Sequence, residues 1–331
     1  IQYGMKIQIR EGSAAKNFEA LIDLMKEHAD KVLFCSDDKH PDDLVKGHIN
    51  QLVKRAVAKG YPVMDVLRSA ILNPIEHYKL EVGTLQTDDP ADMIVVDNLS
   101  DFNVLQTYVN GQLVAENGQS LIETSQADTP NNFVADKVTS GDFFVQNTGK
   151  PVKVIEALEG QLITNTVLGH AVAAGENLTS NTTEDIFKIA VINRYQKAKP
   201  AIGFIKNIGL KRGAIASTVA HDSHNIIVVG ADDAAMVKAV NLLIESKGGV
   251  VACDENTVSL LPLPVAGLMS NQNAWEVARA YEKTDAAAKA LGCTLHAPFM
   301  TLSFMALLVI PQLKLSDKGL FDGAKFEFTD L

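Results

Sequence analysis

A group of carboxylates follows one apolar stretch near the start of the chain. The stretch Val32–Cys35 has the composition of a buried β-strand. Four aspartates come soon after it: Asp37, Asp38, Asp42 and Asp43. A carboxylate at the carboxyl end of a strand can ligate a divalent metal and accept a proton from a metal-bound water. A solvated turn is the competing explanation, and the pattern alone leaves both open.

A second polar cluster stands directly before another apolar strand. Its members are His221, Asp222, Ser223, His224 and Asn225. The His-x-x-His spacing could bind zinc, but no further ligand stands at a set spacing from it. A serine nucleophile with a histidine base is a weaker possibility, because no nucleophile elbow surrounds the serine. A hydrogen-bonded turn that satisfies its own backbone is the structural alternative.

Two strand–helix units are predicted to position the first cluster. Strands are predicted at Met5–Arg10 and Lys31–Cys35. Helices are predicted over three ranges: Ala14–His28 with Ser13 as its N-cap, Asp42–Ala58 closed by Gly60, and Val63–Leu72 ending before Asn73-Pro74. This order predicts parallel strands joined by crossover helices. Chemistry in such folds lies at the carboxyl ends of the strands, so Ser13 and Asp37 should share one rim.

The rest of the chain divides into three regions. Residues 81–125 predict a small β module, in which Asn110-Gly111 is a strong hairpin signal. Residues 126–149 are polar and are predicted to form a linker. Residues 150–331 mix strands and helices. Their clearest elements are the strand Ile226–Gly230 and the helices Asp232–Ser246 and Gln272–Leu291.

Composition argues against several classes of protein. The chain has 331 residues and a formal net charge of −10, which argues against nucleic acid or an anionic membrane as the main partner. Cys35, Cys253 and Cys293 show no CxxC spacing, so we expect reduced thiols in a cytoplasmic protein. No apolar run reaches the ~18 residues of a membrane span. The chain opens without Met, which suggests that its natural beginning lies elsewhere.

Several long blocks of the chain resemble the adenine deaminases of the amidohydrolase superfamily. The blocks include IREGSAAKNFEAL, FCSDDKHPDDLVKGHINQLVKRAVAKG, VAHDSHNIIVVGADD and PFMTLSF. The resemblance runs across almost the whole chain. It covers only roughly the C-terminal three-fifths of such an enzyme.

The resemblance implies a fold class of α/β plus α+β. Residues 1–80 would be the last strands and helices of a metal-dependent (β/α)8 barrel, with the two predicted strands as its seventh and eighth. Residues 81–125 would be the small β-rich module that flanks the barrel. Residues 150–331 would be a C-terminal mixed α/β domain particular to adenine deaminases.

The resemblance also implies a reaction, in which adenine and water give hypoxanthine and ammonia with manganese or iron at a binuclear centre. Asp37 matches the aspartate that binds metal and shuttles the proton, and the other metal ligands have no counterpart here. We therefore expect the N-terminal part of the same enzyme to complete the barrel, and we expect a homodimer. The residues predicted to bind substrate are Ser13, His221, Asp222, His224 and Asn225. The loop His221–Asn225 is predicted to close over the barrel mouth.

Two other functions stay open at this point. The segment could be a non-catalytic scaffold that folds and dimerises through its C-terminal domain without holding metals. It could also belong to another cyclic-amide hydrolase of the same superfamily, although that reading gives no reason for the region after Lys150.

Overall fold

The computed structural model describes residues 1–13, 15–123, 125 and 127–331. The chain divides into two compact units, Ile1–Ser125 and Gln126–Leu331. Throughout the described residues, no helix combines the length and the apolar character needed to cross a membrane.

The first unit contains two short parallel strands. β1 (Ile7–Arg10) pairs with β2 (Val32–Cys35) along the full length of both. The parallel pairing predicted from the sequence is confirmed, and the carboxyl ends of both strands therefore lie at the same edge. Within the described residues the two strands form a two-stranded sheet and not a closed barrel.

The crossover between the strands begins later than predicted. It consists of four short pieces: α1 (Phe18–Leu21), a 3-10 turn (Ile22–Leu24), α2 (Met25–His28) and a second 3-10 turn (Ala29–Lys31). The Asn17 side chain accepts the N–H of Arg10 at 2.8 Å, and the Asn17 N–H donates to the Arg10 carbonyl at 3.1 Å. These bonds keep the chain in a loop up to Asn17. The prediction that Ser13 caps the helix is therefore wrong. Ala14 lies outside the described residues.

The helical segment after β2 is interrupted as well. Its two parts are α3 (Pro41–Leu44) and α4 (Ile49–Ala58). The Asn50 side chain accepts the N–H of His48 at 2.8 Å, and this local bond competes with a continuous helix. The prediction of one continuous helix over Asp42–Ala58 is therefore wrong. Gly60 follows α4 with a φ of +90°, in agreement with its predicted role.

The last helical segment of this region continues through a proline. It consists of α5 (Val63–Leu67), a π turn (Arg68–Leu72) and α6 (Asn73–Tyr78). The predicted end before Asn73-Pro74 is wrong. Asn73 is buried, and its side-chain amide donates to the carbonyls of Ala29 and Val32 at 2.7 Å each. Pro74 stands in the first turn of α6, where a missing N–H needs no intrahelical partner.

The core of the first unit is one cluster of buried apolar side chains. Its members are Ile9, Phe18, Ile22, Met25, Val32, Phe34, Leu52, Val53, Ala56, Val66 and Phe102. Because Phe102 follows the first strand of the β module, residues 1–80 and the β module share this core.

The β module is a four-stranded antiparallel sheet. Its strands are β3 (Met93–Val96), β4 (Val104–Val109), β5 (Gln112–Glu116) and β6 (Gln119–Ser120), in that order. Asn110 and Gly111 connect β4 and β5 with φ values of +48° and +77°. Both central residues of the turn are left-handed, as a two-residue hairpin requires. The predicted hairpin is confirmed.

The second unit contains an eight-stranded mixed sheet. In chain order its strands and one accompanying hairpin are β7 (Val152–Ala157), β8 (Thr164–Gly169), the hairpin β9 (Val172–Ala174) and β10 (Asn177–Thr179), β11 (Ile186–Ile192), β12 (Ala201–Lys206), β13 (Ala214–Ser217), β14 (Ile226–Gly230), β15 (Gly249–Cys253) and β16 (Val258–Pro262). The order across the sheet is β16-β15-β13-β14-β11-β12-β7-β8. Within the part of this sheet that the structure describes, β7 and β12 pair in parallel and the other neighbouring strands are antiparallel.

Helices and a small sheet complete the second unit. They are α7 (Asp233–Glu245), α8 (Ala274–Ala290), α9 (Pro298–Phe304) and a sheet of β17 (Leu313–Ser316), β18 (Gly319–Asp322) and β19 (Glu327–Thr329). Asp232 caps α7 by accepting the N–H of Ala235, and Asn273 caps α8 by accepting that of Trp275. These two helices agree with the prediction within two residues. Every residue of α9 is buried.

The region predicted to be a linker packs into the second unit. Val138, Phe143 and Val145 are buried. The ammonium of Lys188, on β11, donates to the Phe143 carbonyl at 2.6 Å and pairs with Asp233 at 2.8 Å. A buried charge needs such partners. At least this part of residues 126–149, which the sequence predicts to be a linker, therefore packs into the second unit.

A buried lysine in the small sheet gives a testable pH dependence. Lys314 is fully buried, and its ammonium donates to the Leu162 carbonyl at 2.8 Å. Burial lowers its pKa from 10.5 to about 8. Below pH ~8 the ammonium is charged in the folded and unfolded states, so the folded state carries the full desolvation cost. Between these two pKa values the folded state loses the proton first, and stability rises with pH.

We therefore expect Lys314→Met to be more stable than the wild type by about 1–2 kcal/mol at pH 7, after allowance for the lost hydrogen bond. The advantage should shrink toward pH 10. Urea unfolding of both proteins from pH 7 to 10 measures the difference between their free energies of unfolding. Other groups titrate alike in the two proteins, so their contributions cancel in this difference. Lys318→Met, at an exposed position in the turn between β17 and β18, serves as the control. The lowered pKa of Lys314 would be contradicted if Lys314→Met were less stable than the wild type at pH 7 by an amount that does not change with pH.

Candidate functional site

The loops that follow β1 and β2 lie side by side. The N–H of Ser13 donates to the Asp38 carbonyl at 2.9 Å, and the N–H of Glu11 donates to the Cys35 carbonyl at 3.3 Å. Gly12 makes this contact possible, because a Cβ at its position would lie 2.8 Å from the Asp38 carbonyl oxygen. The structure thus brings the predicted residues Ser13 and Asp37 to one rim, as parallel strands require.

Asp37 is held by its neighbours in a defined orientation. Its backbone is left-handed, with a φ of +54°, a conformation that is uncommon for residues other than glycine. One carboxylate oxygen lies 2.5 Å from a guanidinium nitrogen of Arg10, the last residue of β1. The other accepts the N–H of Asp38 at 2.9 Å. The side chain is partly exposed, so an oriented carboxylate is available at the rim to accept a proton.

Ser13 is placed differently from a residue that touches substrate. It is buried, and its hydroxyl donates to Asp43 at 2.8 Å while it accepts the N–H of His40 at 2.9 Å. Both bonds connect the loop after β1 to the segment after β2. In this arrangement Ser13 supports the loop that carries Asp37, whereas its predicted contact with substrate stays untested.

The two aspartates after Pro41 have unequal environments. Burial raises the pKa of Asp42, and the nearby charge of Asp43 raises it further. Burial also opposes ionisation of Asp43, but the hydrogen bond from Ser13 and the Lys46 ammonium outweigh it and lower the pKa of Asp43. The Asp43 carboxylate thus acts as a structural acceptor inside the loop network. The solvated-turn interpretation does not describe this part of the cluster.

The described residues do not by themselves form a metal centre. Among them, no three His, Cys, Asp or Glu side chains gather where they could hold an ion. Asp37 is the one predicted ligand, and its carboxylate is paired with Arg10. A carboxylate can ligate a divalent metal, but a binuclear centre needs several ligands, and Asp37 alone is one of them.

The second polar cluster is a loop before β14. Asn225 is buried, and its side-chain oxygen accepts the N–H of Arg194 at 3.2 Å. The His221 ring lies against Phe304, with the ring centroids 4.6 Å apart. Asp222 and Ser223 are exposed. Within the described residues neither histidine belongs to a three-ligand metal group, which removes support from the zinc interpretation.

Some residues that shape these sites were missed from the sequence. Arg10 ends the strand beside Asp37, and the predicted parallel pairing was signal enough to find it. Asp43 was noted only as part of a carboxylate run. Arg194 and Tyr195 contact the loop of His221 from about 30 positions away along the chain, and no local motif marks them.

Two protein families match the chain. The amidohydrolase family matches residues 4–114, which include β1, β2 and the β module. The adenine deaminase C-terminal domain matches residues 161–327, just over half of the chain. The chain belongs to the adenine deaminase family.

Similar proteins support this assignment along the whole chain. Adenine deaminases of Sulfurovum sp. (strain NBC37-1) and of Salinibacter ruber are each 51% identical to it. An adenine deaminase of Methanosarcina barkeri is 48% identical. Each alignment covers 100% of this chain but only 61–62% of the relative. The chain therefore spans about three-fifths of the length of these adenine deaminases.

The buried Ser13 network generates a stability prediction. Ser13→Ala should lower the free energy of unfolding by about 1–3 kcal/mol, because it leaves the Asp43 carboxylate and the His40 N–H without this partner in a part-buried site. Urea unfolding of the first unit, compared with Ser100→Ala in an exposed loop of the β module, provides the measurement. Equal stabilities of the two variants would show that the network does not hold the rim.

Proposed function

We propose that the chain is part of an enzyme that hydrolyses adenine to hypoxanthine and ammonia. The observation that carries the proposal is Asp37, an oriented carboxylate at the carboxyl ends of two parallel strands. Its support is the set of relatives that match the chain along its whole length and are named adenine deaminases. In this proposal β1 and β2 are the last two strands of a (β/α)8 barrel, in line with the amidohydrolase match.

In the proposed reaction Asp37 moves a proton. The oxygen of a water molecule bonds to the ring carbon that bears the amino group, and the carbon–nitrogen bond then breaks. One proton of the water passes to the Asp37 carboxylate and from there to the departing amine, which leaves as ammonia. The other proton of the water remains with hypoxanthine. Arg10 and the Asp38 N–H orient the carboxylate in this chain.

The amidohydrolase match implies a divalent metal, for which manganese and iron are our candidates. In the proposal Asp37 would be the ligand that this chain contributes, and its carboxylate is paired with Arg10 in the structure. The N-terminal part of the enzyme supplies the other ligands. A metal increases the acidity of a bound water and so supports hydrolysis near neutral pH.

Recognition of adenine needs groups that match its hydrogen-bonding edge. We propose His221, Asp222 and His224 as the groups of this kind that the second unit offers, since a carboxylate can accept from the exocyclic amine and an imidazole can donate to a ring nitrogen. Asn225 and Ser13 are committed to backbone or loop contacts, so we assign them a supporting role. We also propose that the enzyme is a homodimer and that it lies in the cytoplasm, where the free thiols of Cys35, Cys253 and Cys293 would stay reduced.

The scaffold alternative is favoured by one observation, the pairing of the Asp37 carboxylate with the Arg10 guanidinium. Under that alternative the chain folds and associates without taking part in catalysis. The alternative of another cyclic-amide hydrolase gains no support, because the adenine deaminase C-terminal domain matches residues 161–327.

Asp37→Asn in the complete protein tests the proposal. The variant should keep its fold and lose about 100-fold or more in kcat for ammonia release from adenine, which is the usual contribution of a proton-transfer group. Asp38→Asn is the matched control, and its kcat should stay within about threefold of the wild type. Equal losses in the two variants would contradict the assigned roles. A wild type that releases no ammonia from adenine would contradict the function itself.

A further inference from the structure

A cavity of about 610 Å³ lies within the first unit. The segments that line it are the loop after β1, the loop after β2, α3 with its connection to α4, and α4 itself. All of them belong to the same compact unit, so the cavity is defined without the second unit. Its volume is in the range of sites that enclose a small molecule, roughly 300–1,000 Å³.

Positively charged side chains are in excess around this cavity. Its lining includes five cationic side chains and two carboxylates. The cations are Lys16, Lys39, Lys46, Lys54 and Arg55, and the carboxylates are Glu11 and Asp43. In the whole chain the balance is the opposite, with 30 lysines and arginines against 40 aspartates and glutamates. A concave surface lined by one sign of charge concentrates ligands of the opposite sign.

The two carboxylates of the lining are bonded to other groups of the protein. Glu11 accepts the Arg55 guanidinium at 2.9 Å, and the two charges compensate each other. Asp43 accepts the Ser13 hydroxyl at 2.8 Å and lies 3.5 Å from the Lys46 ammonium. Four lysines therefore remain against a single carboxylate.

Lys16 and Lys39 are the lysines of the lining with the least compensation. Lys54 lies 3.3 Å from Asp101, which does not line the cavity. Within the part of the chain that the structure describes, no carboxylate lies at ion-pair distance from Lys16 or Lys39. Burial lowers the pKa of His48, and the charge of Lys39 lowers it further. The loops after β1 and β2 thus each contribute a lysine whose charge is not balanced by an ion pair.

The lining indicates which class of anion would fit. Lysine ammonium groups bind phosphate as point charges, without the planar fork that matches a carboxylate. Several of them around one cavity suit a ligand with more than one negative charge. The net charge of −10 disfavours an extended polyanion such as a nucleic acid. A small molecule with a diphosphate group meets all of these conditions.

We infer that the cavity lined by Lys16, Lys39, Lys46 and Lys54 is a binding site for a small molecule that carries a diphosphate group. The inference goes beyond the proposed adenine deamination, because it requires neither adenine nor the carboxylate of Asp37. Inorganic pyrophosphate and a nucleoside diphosphate share the recognised group. Because the attraction is between charges, the dissociation constant should increase with salt concentration.

Calorimetric titration of the complete protein with inorganic pyrophosphate and with UDP tests the inference. UDP has no purine base that could enter the proposed adenine site. At least one of the two ligands should bind saturably at low ionic strength. The double variant Lys16→Gln, Lys39→Gln should raise the dissociation constant about 10-fold or more, because it removes two charged hydrogen-bond donors.

The matched control is the double variant Lys26→Gln, Lys31→Gln. It removes the same charge from two lysines of the first unit that do not line the cavity. Its dissociation constant should stay within about twofold of the wild type, because charges outside the cavity are screened by salt. Melting temperatures without ligand show whether both double variants are folded.

Binding that is lost only in the Lys16, Lys39 variant supports the site, and the ligand that binds shows whether the diphosphate is recognised free or attached to a nucleoside. Binding of neither ligand to the wild type overturns the inference. An unchanged dissociation constant in that variant places the ligand elsewhere and also overturns it. Equal weakening in the two double variants would indicate general attraction by charge, and it rejects the site as well.

Discussion

The parallel pairing of β1 with β2 is the constraint on which the first unit depends. It puts the ends of two strands, and the loops that follow them, at one edge. Gly12 lets the loops approach, and the hydroxyl of Ser13 joins one loop to the other through Asp43. The position of Asp37 follows from these contacts. The carboxylates after the strand therefore have separate tasks, with Asp43 inside the loop network and Asp37 at the rim.

Local signals in the sequence were sufficient for several elements. The hairpin at Asn110-Gly111 and the helix capped by Asp232 depend on residues close together in the chain, and both were predicted. The prediction of a helix over Ala14–His28 was wrong at its start, because a hydrogen bond between Arg10 and Asn17 holds the preceding residues in a loop. Likewise, the helix beyond Asn73 continues because the buried Asn73 amide bonds to carbonyls about 40 positions earlier. Such tertiary contacts leave no periodic pattern in the sequence.

In the candidate sites, too, local signals in the sequence predicted some features, and tertiary contacts determine the others. Asp37 was identified by its place after a strand and by resemblance to a family, and the structure adds the partners that orient it. Ser13 was found as a rim residue, but its burial and its bonds to Asp43 and His40 could not be predicted. Arg194 lies just after β11 and reaches His224, which lies just before the neighbouring strand β14. Its importance for that loop becomes visible only when the strands are placed side by side.

We propose that this chain supplies an oriented carboxylate to a reaction whose other metal ligands come from the N-terminal part of the enzyme. Ammonia release from adenine, measured with residues 1–331 alone and again after addition of the N-terminal part with manganese or iron, tests it directly. We expect no turnover by residues 1–331 alone and turnover when both parts are present. Turnover by residues 1–331 alone at the rate of the combined parts would contradict it.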